Sequence, residues 1–447
     1  MTSRWAGLAV CLLLAIAGLS LGTGCDPCGS CSTHHAKPSS SPSPSPSPTP
    51  TPPNACLPSS SIGILVQGKN ATAYLPQGYW EGGSASVKVV PIETSSGLGT
   101  GGAPTSIATN SETVPNSCSS NSTTGETVCV ANNTDVYLIN GTTLTSTLTS
   151  GATGDEEFTG GGCANCGVVV DSSTNKALIT VGLETGGPGG YQFLDLGGTP
   201  AFESPIPAGV QTSEDVSIDP IRHLVLSPGE AVYNPGDLVD YQIVNVSTAT
   251  PALFNSDIPS LDTEEDLDSA GEDCTTGIAL ATSEFTGDLF IADLTQATFT
   301  PGTPGTWTDT ASALVNFPEF DDLAAGTCGI AVAPGTHLAI VTGEFGGALE
   351  GVVQLPATSG SGTPAFVDYV AFTVPSTPSQ EDWSEGYDPH TVTAYVSPNS
   401  KTAYAVLEND DFSYLAIVDL KGMLSAPRTG HTVNNPLPAG LVTFIAE

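Results

Sequence analysis

The stretch Tyr387–Leu420 reads YDPHTVTAYVSPNSKTAYAVLENDDFSYLAIVDL, and its pattern sets the fold. Val392, Ala394 and Val396 alternate with Thr393 and Tyr395, after which Ser397-Pro398-Asn399-Ser400 turns the chain. Ala403 and Ala405 follow, Asn409-Asp410-Asp411 turns it again, and Tyr414–Leu420 closes the unit. Short period-two runs bounded by Pro, Asn, Asp and Ser mean strands joined by tight turns.

The same unit recurs upstream. Cys328–Ala333 with Leu338–Thr342, Cys166–Asp171 with Ala177–Val181, Val216–Pro220 with His223–Leu226, and Thr276–Leu280 with Asp288–Asp293 share its form. Taking the residue that ends the first strand as an anchor gives Asp171, Asp219, Ala281, Ala333 and Ser397. Two degenerate copies precede them, Ser61–Ile92 and Cys118–Thr142. A third strand recurs seven times, at 86–92, 134–139, 191–196, 238–246, 288–294, 351–355 and 414–420. Four short strands per unit of about 40–60 residues, with no helix-period stretch, predict an all-β chain folded as a β-propeller. Seven blades fit the count, with six or eight left open by the worn first copies. Leu441–Ala446 is available to complete a blade begun near the N-terminal end. A tandem of β-sandwiches would show similar strands without this repetition in phase.

Cys328-Gly-Ile-Ala-Val-Ala-Pro-Gly and Asp388-Pro-His-Thr-Val-Thr-Ala-Tyr-Val-Ser-Pro-Asn resemble the YVTN-type repeat. In that repeat Pro-His-Gly precedes an apolar strand, a Ser-Pro-Asp-Gly turn and a strand ending in Asp-Leu. The resemblance covers most of 160–424. It departs where Cys166 and Cys328 stand in place of a frequent His, and where two extra residues separate His390 from Ser397. The family includes surface and binding proteins as well as propeller lactonases, so the resemblance implies an architecture and leaves the activity open.

Asp and Glu total 46 of 447 residues and Lys and Arg only 9, for a net charge of −37. The imbalance comes from missing base, since all charged residues make up 12% against roughly 25% in ordinary domains. A chain so poor in base is not expected to bind nucleic acid, whose phosphates need Lys and Arg. It can attract cations or cationic partners.

Arg4 precedes an apolar run from Trp5 to Leu21 that ends in Gly22-Thr23-Gly24-Cys25. A charged start, an apolar core and small residues at a cleavage point describe a signal peptide, here 1–24. The Cys directly after Gly24 resembles a bacterial lipoprotein lipobox, which implies lipidation of Cys25 and anchoring in a membrane. The expected address is the cell envelope, facing the periplasm or the exterior, with secretion as the alternative. Residues 38–53, PSSSPSPSPSPTPTPP, are a low-complexity linker that favours extended polyproline II and cannot pack a core. The expected organisation is therefore a signal peptide (1–24), a lipidated Cys with a disordered stalk (25–60) and a propeller (61–447).

Acidic residues collect at one repeat phase, just before the innermost strand. The junctions are Asp155-Glu156-Glu157; Glu214-Asp215; Glu264, Glu265, Asp266, Asp268, Glu272 and Asp273; Glu319, Asp321 and Asp322; and Glu381, Asp382, Glu385 and Asp388. These are 18 of the 46 carboxylates, so in a propeller they would share one face around the axis. A ring of carboxylates there could hold Ca²⁺, which takes six to eight oxygens. Asp215, Asp273, Asp322 and Asp388 are the candidate ligands, and solvated loops are the plainer explanation. No cofactor is otherwise indicated.

Eleven Cys in an exported chain suggest disulfide bonds. Cys118 and Cys129 flank a turn and could staple a hairpin, while Cys163, Cys166, Cys274 and Cys328 are expected at inner-strand entrances near the axis. There is no Gly-x-Ser-x-Gly elbow, no phosphate-binding Gly-Lys-Ser/Thr and no His-Glu-x-x-His. Of the body's His residues (223, 337, 390 and 431), only His390 falls at an inner-strand entrance, which makes it a candidate binding residue. The sequence thus points to an exported, lipid-anchored propeller acting as a non-enzymatic binding module for a protein or cationic ligand. The competing reading is a Ca²⁺-dependent hydrolase or lactonase of propeller form.

Overall fold

Seven sheets, six of them wholly antiparallel, follow one another along the chain. The computed structural model describes residues 61–446 except 78–84, 111–114, 155–163, 184–188, 209–211, 213–214, 230–240, 248–250, 257–266, 284–287, 318–326, 344–348, 359–362, 372–391, 409–413 and 426–440. Blade 1 comprises Gly63–Gln67, Asn70–Pro76 and Ser86–Thr94, with Gly97–Leu98 and Thr105–Ala108 both paired to the third strand. Blade 2 is Pro115–Ser120, Glu126–Ala131, Asp135–Asn140 and Thr143–Thr149. Blade 3 is Asn165–Asp171, Lys176–Gly182 and Gly189–Asp195, edged by Ala201–Phe202 and Ile206–Pro207. Blade 4 is Ser217–Asp219, Leu224–Ser227, Gln242–Asn245 and Ala252–Ser256, and blade 5 is Leu267–Asp273, Ile278–Ser283, Asp288–Asp293 and Ala313–Asn316. Blade 6 is Thr327–Ala333, Leu338–Gly343, Leu349–Gln354 and Ala365–Ala371, and blade 7 is Val392–Val396, Ala403–Glu408, Tyr414–Asp419 and Val442–Ala446.

Period two here has a specific meaning, because each blade is covered on both faces. Val168 and Val170 join a core cluster with blade 2, while Val169 between them joins one with blade 4. Seven such clusters link the blades pairwise, and the one joining Ile64, Ala73 and Ile92 to Tyr395, Val406 and Ile417 closes blade 7 onto blade 1. Seven sheets and seven interfaces make a closed seven-bladed ring.

One backbone feature repeats in every blade. The turn into the second strand passes through a left-handed residue: Gly68, Gly125, Asn175, His223, Gly277, His337 or Lys401. Positive φ strains a residue with a Cβ, so Gly and Asn are the natural occupants and the His and Lys positions need compensation. A second device serves blades 3, 5 and 6. Their inner strands carry a bulge, and a second-strand threonine bridges it, with Thr180, Thr282 and Thr342 accepting from the backbone N–H of Gly167, Ser269 and Gly329.

Two expectations are corrected. Thr276–Leu280 is not a first strand; the innermost strand of blade 5 is Leu267–Asp273, so the anchor moves from Ala281 to Asp273. The sequence LDSAGED has almost no β-branched content and carries no local strand signal. It pairs because two blades enclose it, with Gly271 leaving room for Val332 at 3.2 Å from where a Cβ would sit. The last strand also behaves differently, since Val442–Ala446 pairs with Tyr414–Asp419 and completes its own blade rather than one begun near the N-terminus. The ring therefore closes without exchanging a strand.

Blade 4 is widened instead. A hairpin of Thr298–Thr300 and Gly305–Thr308, inserted between the third and fourth strands of blade 5, extends the blade 4 sheet, with Gly305–Thr308 running parallel to Ala252–Ser256.

Candidate functional site

All inner strands run the same way, which gives the ring an entrance face where they begin and an exit face where they end. On the exit face the strand-terminal residue of several blades builds its own turn. Asp171 Oδ1 accepts from Ser173 N and Oγ, Asp273 Oδ1 from Thr275 N and Oγ1, and Ser397 Oγ from Asn399 N and Ser400 N. The second carboxylate oxygen then reaches the left-handed residue of the next blade. His223 Nδ1 lies 2.8 Å from Asp171 Oδ2, and His337 Nδ1 lies 2.6 Å from Asp273 Oδ2. Asn121 Nδ2 donates to Asn175 Oδ1 in the same manner at 3.0 Å. Blade 4 varies the scheme, since Arg222 pairs with Asp219 and donates to Cys274 O, and Gly277 supplies the room for its guanidinium. His223 and His337 are thus latches between blades.

Burial pushes the Asp171 carboxyl up, but hydrogen bonds from Ser173 and His223 outweigh it and hold the group below its ordinary range. A carboxyl whose folded value is depressed contributes stability above its unfolded value, and that contribution is lost as pH falls through the folded value. The thermal midpoint of the native chain should therefore drop below about pH 4 more steeply than that of Asp171→Asn. Parallel midpoint-against-pH curves would count against the latch.

On the entrance side the axis is spanned by a hydrogen bond. Ser61, preceding blade 1, donates to Asp215 Oδ1 at 2.9 Å, and Asp215 belongs to blade 4 across the ring. Ser269 of blade 5 donates to Asp215 Oδ2 at 3.3 Å and accepts from Ile330 N of blade 6. Asp215 is 3% exposed. The carboxylate that the repeat phase placed near the axis is there, held by two hydroxyls from opposite sides.

The four candidate Ca²⁺ ligands are not brought together by the described residues. Asp215 bridges Ser269 near the start of the blade 5 inner strand, whereas Asp273 ends it, four residues and about 13 Å further on. Glu272 and Asp273 thus close the inner strand of blade 5 at the exit instead of preceding it at the entrance. Asp322, Asp388, His390 and Cys25 lie outside the described residues. Among the described residues no three His, Cys, Asp or Glu side chains gather closely enough to hold an ion. Cys118 and Cys129 are bonded as expected, directly opposite one another with Cα atoms 4.1 Å apart. Cys166 and Cys274 each take part in a separate disulfide bond, and Cys274 follows its inner strand at the exit rather than the entrance.

Base is unevenly distributed, although the exit-face turns that carry it also carry acids such as Glu126, Asp171, Asp219 and Asp273. Among the described residues Lys69, Lys176, Arg222, Lys401 and Lys421 all lie at exit-face turns or strand ends, with only Lys88 elsewhere. The segments that enter the inner strands of blades 3 to 7 contain acid and no Lys or Arg. A cleft of about 390 Å³ between blades 5 and 6 is lined by Ile278, Ile291, Asp293, Gln296, Pro356 and Pro364, among others. In its lining Gln296 Nε2 donates to Asp293 Oδ2 at 2.8 Å.

Among solved structures, a chain of the mitotic checkpoint complex superimposes with a TM-score of 0.49 at 10% identity, over 78% of this chain and 84% of that one. The β-propeller domain of Cps50 (Swd1) from Myceliophteria thermophila gives 0.43 at 8% identity, over 66% and 80%. No protein-family model matches the chain, and no curated protein matches it. The class of protein rests on its own seven sheets and seven interfaces.

Several residues that organise these faces escaped the sequence reading. Ser61 and Ser269 carry no motif, and Glu93 and Glu350 are single acids within strands. The latch histidines were visible as turn residues, but their partners lie 52 and 64 positions away.

Proposed function

We propose that this chain is an exported, lipid-anchored propeller that works at the cell envelope as a non-enzymatic binding module, its entrance face recognising a cationic region of a protein partner. Residues 1–24 would be the signal peptide, Cys25 the acylated anchor, 25–60 the stalk and 61–447 the recognition domain. The observation that supports this most is the distribution of charge along the chain: the sequence leading into the inner strands of blades 3 to 7 has acid and no base, and among the described residues base lies almost entirely at exit-face turns. Broad fields of one sign raise encounter rates and select partner charge more than they set affinity. Many polar groups of the described residues are spent on latches, turns and the axial bridge, which suits a rigid platform. In a bacterial host, Cys25→Ser should move the chain from the membrane to the soluble fraction. Full-length protein should bind poly-L-lysine but not poly-L-glutamate, with affinity falling as salt rises. A soluble native chain would refute the anchor, and equal binding to both polymers would refute the charge-selective face.

A further inference from the structure

Glu350 is fully buried, at 0% exposure, on the third strand of blade 6. Its ladder partners are Thr342 and Val370, and Val370 with the same-face neighbours Ile340 and Val352 belongs to the core between blades 6 and 7. Glu350 therefore points into that interface, near its entrance-face end. Blade 7 contributes Val392 and Leu407 to the core at the same end. The Thr342 hydroxyl is engaged with Gly329 N and O across the bulge, and neither oxygen of Glu350 has a hydrogen-bond partner among the described residues.

The charged groups of the two blades lie elsewhere. Asp368, on the outer strand of blade 6, accepts from Tyr369 N, and Glu408, next to Leu407, accepts from Gln77 of blade 1. His337, Lys401 and Lys421 sit at the exit face. A bare carboxylate in such company has neither a counter-charge nor a donor, and an acid so placed takes up a proton instead. Burial accordingly pushes the Glu350 carboxyl well above its ordinary range, against a weaker pull from its own backbone N–H. The repeat shows that the fold does not need an acid in this slot. The residue facing the bulge threonine is Tyr191 in blade 3 and Leu289 in blade 5. Leu289 is buried in apolar company, and Tyr191 donates its hydroxyl to Gln242 Oε1 of the next blade at 2.7 Å.

We propose that Glu350 folds as a neutral carboxylic acid and acts as a proton-operated catch, closing blade 6 onto blade 7 in mildly acidic medium and releasing the entrance-face end of their interface as pH rises. The proton is taken from water on folding and returned to it on release, so the catch needs no other reactant. An ionised Glu350 gains hydration only by leaving the core, and the near end of its strand is the short way out. The catch does not depend on the binding role proposed for the entrance face.

Urea unfolding of the full-length chain between about pH 5 and pH 8 tests this, beside Glu350→Gln and Glu350→Leu, the second of which copies the slot in blade 5 and should fold. An acid whose folded value is raised contributes its full stability below the unfolded value, about 4.3, and loses it as pH rises towards the folded value. Within that window each pH unit should lower the folding equilibrium constant of the native chain about tenfold more than that of either variant. The His latches are common to all three proteins, so the difference belongs to Glu350. Hydrogen exchange, corrected for the intrinsic effect of pH, locates the release. Protection of Leu338–Gly343 and Val392–Val396 should fall more than that of blade 2 in the native chain, and equally with it in both variants. Parallel stability curves in the three proteins would overturn the proposal, and so would an equal loss of protection around the whole native ring.

Discussion

Replacing Glu93 by alanine is expected to lower unfolding stability by about 3–4 kcal/mol, because it strips the seam of the ring of its shared acceptor. Glu93 is next to last in the third strand of blade 1 and is 2% exposed. Its carboxylate accepts from Ser397 Oγ at 2.6 Å, Asn399 Nδ2 at 2.8 Å and Tyr395 O–H at 3.2 Å, all from blade 7. Burial, with the Glu93 charge adding to it, raises the Tyr395 hydroxyl far above its ordinary range, so it remains a donor. Removing the acceptor strands three donors, at least one of them buried, at a cost of about 1–3 kcal/mol each where water cannot enter. Among the described residues no strand crosses the seam. Beyond the apolar cluster it has Asn399 donating to the Lys69 and Thr94 carbonyls and Gln77 donating to Glu408 at 3.2 Å. Glu93→Gln keeps one acceptor oxygen and should lose about half as much. Urea unfolding decides the matter, and an alanine variant within about 1 kcal/mol of the native chain would show that apolar packing alone closes the ring.

Trp307→Ala should cost about 3–5 kcal/mol, the range for a large aromatic removed from a packed core. Trp307 is 0% exposed and sits on the hairpin that blade 5 lends to blade 4, opposite Ser256 in the parallel pairing. It packs in the cluster that holds Leu226, Ile243 and Phe290 between the two blades. Nearby, Phe254 and Phe299 meet with centroids 4.8 Å apart, and Gly305 is required because a Cβ there would lie 2.7 Å from the Phe254 ring. Loss of the indole should therefore unpin the hairpin from blade 4 as well as open a cavity. Trp307→Phe should recover part of the loss. Hydrogen exchange provides a second reading, with protection of Ala252–Ser256 falling in the alanine variant before that of blade 2. Equal protection in both would mean that the hairpin is an appendage without a fastening role.

The seven third strands were legible because each combines a β-branched or aromatic run with turn residues on both sides, as Tyr414–Asp419 and Asp135–Asn140 do. The inner strand of blade 5 was not legible. Leu267–Asp273 holds three acids, a Gly and an Ala, and its pairing comes from the blades on either side rather than from its own composition. The axial position of Asp215 followed from repeat phase, since phase sets which end of a blade a residue occupies. The bond from Ser61 to Asp215 could not follow from phase, because it joins residues 154 positions apart across the axis. Glu350 was equally hidden. A lone Glu at the start of a strand looks like an exposed residue until its neighbours on blade 7 are in place.

Strand period, turn chemistry and the spacing of the copies are properties of short segments, and they were enough to point to an all-β propeller, with seven blades as the best-fitting count, and to the axial place of Asp215. Pairing partners, the closing of the ring, the latch between Asp171 and His223 and the burial of Glu350 belong to the assembled ring alone. Each depends on residues from different blades meeting at about 3 Å, and hydrogen bonding and desolvation act over that distance whatever the separation along the chain.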